Sequence, residues 1–148
     1  MQIVVILTWI LQGVIMFFDE FYFHRKRGLG KWESLGHPID TFMFLLCFIY
    51  TLIYPADKII PFCILAVASC LIITKDEFVH KHECETNEQW LHSVLFILHP
   101  ISLMLLFFAW SEGFVQLIKV QAAIISLFLI YQVIYWNYWR QHAIKKAT

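Results

Sequence analysis

Two short stretches of this chain carry residue types that bind metals and move protons. Residues 19–24 read DEFYFH and residues 76–83 read DEFVHKHE. Each follows a long apolar run, IVVILTWILQGVIMFF in the first case and IIPFCILAVASCLIIT in the second. Ionisable groups in such segments cost roughly 2.5–3.5 kcal/mol each on membrane-insertion scales, so their presence points to function. Sixteen apolar-run residues precede Asp19, and sixteen precede the Lys75-Asp76 pair. The two acidic turns are therefore expected at matching depth. A second pair of segments brings His37 and Asp40, then His92 and His99, in from the same side. Glu20 and His24 are four apart, Glu77 and His80 three apart, and His37 and Asp40 three apart, so each pair shares a helix face. His92 and His99, seven apart, stack two turns deep.

The expected ligand set is thus Glu20, His24, His37, Asp40, Glu77, His80, His92 and His99. Asp19 and Asp76 read as helix-end groups that orient a ligand imidazole. Glu33 and Glu88, each four residues before a His, join them, although Gly36 and Pro38 are expected to keep Glu33 outside a regular helix. Imidazole suits iron, zinc and copper, and carboxylate suits hard ions such as iron or manganese. About seven ligands exceed what one ion takes, which points to two ions, iron first, with zinc or manganese as alternatives. Haem held by two imidazoles would leave the acids without partners. The plainer alternative for Glu20, His24, Glu77 and His80 is interfacial pairing with Arg25, Lys26 and Lys81. His82, Glu83, Cys84 and Glu85 read as loop residues, with a part in the site left open, and His142 as tail.

The EFVH pair, Glu77 to His80, is similar to the Glu-x-x-His element of ferritin-like di-iron bundles. The number of histidines at the ends of apolar helices resembles the membrane desaturases and hydroxylases, which hold two irons there, although their HxxxH and HxxHH boxes are absent. That resemblance implies a di-iron oxidoreductase or oxygenase acting on a hydrophobic or lipid substrate, with an electron donor. A zinc-dependent membrane hydrolase, with a Glu as general base, is the alternative. Metal transport or sensing and haem electron transfer are further options. Transport fits less well, because the outer halves of the helices hold little that is polar beyond Thr8, Gln12, Thr51 and Ser69.

The elements that must position these groups follow from composition. The 148 residues are 60% hydrophobic, 18% aromatic and 15% charged, with mean hydropathy +0.67. A soluble domain carries about 25% charged residues. Five apolar segments, at 2–24, 35–54, 57–80, 89–110 and 114–139, each approach the roughly 20 residues that span hydrocarbon as a helix. They are continuously apolar, and open strands cannot satisfy their backbone in lipid. An all-α polytopic bundle in one membrane domain is predicted, with short connections and antiparallel neighbours.

Helices 1–2 and 3–4 are predicted to form two weakly repeated hairpins, each an apolar run, Asp-Glu-Phe, a His, a charged loop containing Trp, then His-Pro-Ile. The fifth helix lacks ionisable ligands and is expected to close the bundle or to make a homo-oligomer contact. Placing the N-terminus outside puts nine of the eleven Lys and Arg on the cytoplasmic side, which predicts N-out, C-in in a bacterial inner (plasma) membrane. The N-terminal run lacks a positive n-region and a cleavage site, so it is expected to stay as the first membrane helix. Zero net charge and the lack of a basic face argue against a nucleic-acid partner. Cys47, Cys63 and Cys70 sit in apolar runs and do not suggest a disulfide framework.

Overall fold

A computed structural model describes residues 1–78 and 84–139. Five long helices carry the chain: α1 (Gln2–Phe18), α2 (Lys31–Ile53), α3 (Ile59–Ile72), α4 (Thr86–Ser111) and α5 (Val115–Ile134). Three of them run on in a different winding. α1 continues through a π-helical segment, Asp19–His24, into Arg25–Arg27. α3 tightens into a 3₁₀ turn, Ile73–Asp76, and α5 ends in a π-helical segment, Tyr135–Trp139. No strand occurs among the described residues. All five spans are long and apolar enough to cross a bilayer, the architecture of an integral membrane protein. Large apolar side chains are exposed around the outside, among them Ile3, Ile60, Leu71 and Leu127, as a helix bundle in hydrocarbon requires.

The packing order differs from the chain order. α1 packs chiefly on α4, and α2 packs on α5 and α3. The expected hairpins therefore exchange their tips. Asp19, at the end of the first span, meets His92 on α4. Asp76, at the end of the third, lies against Gly36 on α2, where an added Cβ would stand 3.1 Å from the Asp76 Oδ1. A side chain at position 36 would crowd Asp76 and Lys75, which would have to shift by a few tenths of an ångström. At the opposite end, Trp9, Phe48, Phe62, Leu106, Trp110 and Ile118 form the apolar core, and the Trp110 indole donates to the Tyr54 carbonyl at 2.9 Å.

The start of α2 corrects one expectation. Glu33 lies inside the helix, at its third position, and its carboxylate accepts from the Gly30 backbone N–H at 3.3 Å. This is half of a capping box, and it starts the helix four residues earlier than the apolar pattern alone suggests. Pro38 sits inside α2 and supplies no N–H to the Ser34 carbonyl four residues back. That carbonyl accepts from the Asn137 amide at 2.8 Å instead, so the π-helical end of α5 repairs the gap.

Candidate metal centre

The charged groups gather at one end of the bundle, where five carboxylates are buried: Asp19, Glu20, Glu33, Asp76 and Glu88. Half-buried Asp40 stands beside them. An isolated buried carboxylate costs several kcal/mol, so each needs a partner, and the structure sorts five of them into three groups and holds Glu20 apart.

The first group surrounds Arg27. Its guanidinium binds Glu33 in a two-pronged pair, at 2.9 Å and 2.7 Å, and reaches Glu88 at 3.1 Å and 3.2 Å. The second surrounds Lys75. Its ammonium lies 2.6 Å from both Asp40 oxygens and 3.1 Å from the Asp76 carboxylate. Lys75 thus supplies the positive charge between these two acids. Glu20 is treated differently again. It accepts from the Trp136 indole and, at 3.2 Å, from the Gln132 amide, whose oxygen in turn accepts from Thr41 at 2.7 Å. Its charge is held by neutral donors.

The third group is Asp19, His24 and His92. Their ligand atoms all lie within 4.8 Å of one another, and all three residues are buried. His92 Nε2 is 2.9 Å from Asp19 Oδ2, and His24 Nε2 is 3.3 Å from the same oxygen. Two further carboxylates approach His24: Glu20 at 3.6 Å from Nδ1 and Glu88 at 3.7 Å from Nε2. Neither His24 nitrogen, nor Asp19 Oδ1, has a hydrogen bond among the described residues. Buried polar atoms of this kind are few in folded proteins, and each calls for a cause such as a bound ion. The winding of the chain creates the group. A π-helix closes i to i+5, and Asp19–His24 spans five positions.

The sequence-predicted residues fall unevenly around this point. His24 and His92 are in the group. His37 packs its ring edge-on against His24, with centroids 4.6 Å apart. Glu20 is adjacent but held by α5. Asp40 is paired with Lys75. Glu77 is half-buried and accepts from Gln89 at 3.3 Å, clear of the three-residue group. His99 lies deeper, bonded to Ser69 at 2.9 Å and packed on Phe44. His80, with His82, Glu83 and His142, lies outside the described residues. Asp19, expected only to orient a ligand, is itself one of the three that meet. Gln132, Trp136 and Asn137 of the fifth span were not expected at the site. These residues carry no ionisable group, so their types alone did not mark them as donors to Glu20 and to the Ser34 carbonyl.

A cavity of about 100 Å³ opens beneath the group, with Asp19, Glu20, His37, Asp40, Asp76 and His92 at its polar end. Phe44, Ile73, Leu95, Phe96 and Phe128 form its apolar wall. Two imidazoles and one carboxylate so placed could hold one divalent metal ion at the head of that cavity. Comparison with protein-family models, curated proteins and solved structures gives no match to this chain.

Proposed function

We propose that this is an integral membrane oxidoreductase with one non-haem iron bound by Asp19, His24 and His92, acting on a hydrophobic molecule. The single observation that carries the reading is the buried His24 imidazole, ringed by Asp19, Glu20 and Glu88 at 3.3–3.7 Å with neither ring nitrogen hydrogen-bonded among the described residues. Buried carboxylates outnumber the two cations, Arg27 and Lys75, that neutralise them, and a bound cation offsets the excess. One ion is favoured over two because Arg27 and Lys75 already hold the carboxylates a second ion would need.

The iron would supply dioxygen binding at its open positions. The chain's own residues do the rest. Glu20, 3.6 Å from His24 Nδ1 while Nε2 faces Asp19, orients the ligand ring. Glu20 keeps its charge beside the site at low cost because Trp136 and Gln132 donate to it. The phenylalanine wall keeps water from the substrate. The reaction class is hydroxylation: one oxygen atom enters a carbon–hydrogen bond, and the other leaves as water with two electrons and two protons from an external donor. The protein is read as N-out and C-in in the bacterial inner membrane, with the site at the cytoplasmic end, where Arg25, Lys26, Arg27 and Lys31 cluster.

Elemental analysis of the detergent-purified chain tests this. About one iron per chain without a Soret band is expected, falling to background in Asp19→Asn and His92→Ala. Zinc in its place would turn the reading to a hydrolase, and a chain free of metal after expression in iron- and zinc-replete medium would end it.

A further inference from the structure

The cavity below the candidate centre is not closed on its membrane side. A groove of about 490 Å³ runs down the outside of the bundle, bounded by α1 from Trp9 to Phe18 and by α5 from Gln121 to Phe128. Five residues line both spaces: Gln12, Met16, Thr41, Phe44 and Phe128. The packing explains the opening. α1 leans on α4 and α5 leans on α2, so the gap between α1 and α5 is left to the bilayer. At 1.5 Å per residue the groove follows α1 for about 14 Å.

Gln12 marks the junction. It is 5% exposed and borders both spaces, and its amide makes no hydrogen bond among the described residues. An amide N–H at this junction can donate to a ligand oxygen. The groove wall carries no charged side chain. Beyond it, the cavity presents Asp19, Glu20, Asp40 and Asp76 against the one ammonium of Lys75, an acidic excess that disfavours a carboxylate or a phosphate over an uncharged group.

We infer that the groove and cavity form a lateral entry path for a neutral lipid with a single hydrocarbon chain, its hydroxyl or carbonyl oxygen bound by Gln12 at the threshold. The chain lies in the α1–α5 groove, among Gly13, Phe17, Ile124 and Phe128. The uncharged end passes Thr41 toward Asp19 and His92. This deepens the metal-centre reading and rests on it for which end of the lipid reacts. Fatty acids carry the wrong charge for the acidic cavity.

Photolabelling of the full chain in nanodiscs tests the path, with a long-chain primary alcohol bearing a diazirine and an alkyne as probe. The fatty acid and the hydrocarbon with the same diazirine serve as comparators. Labelled peptides from α1 and α5 are expected with the alcohol, at about tenfold lower yield with the acid. Gly13→Phe is a plug that the fold tolerates, since nothing lies within 4 Å of an added Cβ. It should abolish groove labelling and leave metal content unchanged. Gln12→Leu should weaken alcohol labelling about tenfold, the equivalent of one lost hydrogen bond, and leave hydrocarbon labelling unchanged. Equal labelling of all lipid-facing helices, or indifference to Gly13→Phe, overturns the entry path. Metal analysis of the same samples reads the centre separately, so failure of one is not mistaken for failure of the other.

Discussion

His24 Nε2 stands 3.3 Å from Asp19 Oδ2, although the two residues are five positions apart in the chain. In an α-helix those two positions point about 140° apart. The π-helical winding of Asp19–His24 turns them to one face, and His92 of α4 completes the group from across the bundle. A local change of helical pitch thus brings a helix-end acid to the two imidazoles.

The first prediction separates residues that meet from residues that merely share a helix face with a histidine. Asp19→Asn, His24→Ala and His92→Ala should each reduce bound iron by more than tenfold, whereas Glu77→Gln should leave it unchanged. Glu77 touches Gln89, not the three-residue group. Inductively coupled plasma analysis of the purified variants gives the answer.

A second concerns how a buried carboxylate survives without a cation. Trp136→Phe removes an indole donor from Glu20 and should destabilise the protein by about 1–3 kcal/mol. The change is read as a lower midpoint in a thermal melt in detergent. Glu20→Gln in the same background should recover part of the loss, because an amide oxygen needs the donor less than a carboxylate does.

Pro38 and Asn137 should be energetically coupled. Asn137→Ala leaves the Ser34 carbonyl without its 2.8 Å donor and should cost about 1 kcal/mol. Pro38→Ala restores the helical N–H that reaches the same carbonyl. The double variant should therefore be less unstable than the two single losses combined, with a coupling of about 0.5–3 kcal/mol in a double-mutant cycle. Strict additivity would remove the repair argument.

Lys75 acts as a built-in cation between Asp40 and Asp76. Lys75→Met leaves those carboxylates facing each other and should destabilise by about 3–5 kcal/mol. Added manganese should return part of the lost melting temperature, because the vacated position suits a hard divalent ion. A variant as stable as the parent in metal-free buffer would show that the pair is not part of the fold's electrostatics.

Cys84 lies in the loop before α4, outside the membrane spans. Burial raises its thiol pKa, with Arg27 opposing the rise. The thiol therefore stays protonated at neutral pH in the folded protein. Maleimide should label it slowly until pH passes well above the ordinary thiol range, whereas the detergent-unfolded chain should react at neutral pH. By linkage, the stability associated with this group is present below the unfolded thiol pKa and is lost as pH rises above it. Equal rates in both states would disprove its burial.

How much of this was legible before folding depends on what each residue needs. Runs such as 3–18 and 59–74 admit only helices, because hydrocarbon offers the backbone no other hydrogen-bond partner; five membrane-length spans and the matched depth of Asp19 and Asp76 follow from that alone. The presence of His24, His37 and His92 at one end was legible for the same reason. The partner of each acid was not. Asp19, Glu20, Glu33, Asp40, Asp76 and Glu88 look interchangeable as residue types, yet they end on imidazole, indole, guanidinium or ammonium. Those choices depend on the rotation of each helix about its axis, on the extra residue accommodated in a π-turn, and on α1 packing against α4 rather than α2. Periodicity within a helix sets which residues share a face. It does not set which neighbour that face meets, and only the packed bundle decides that.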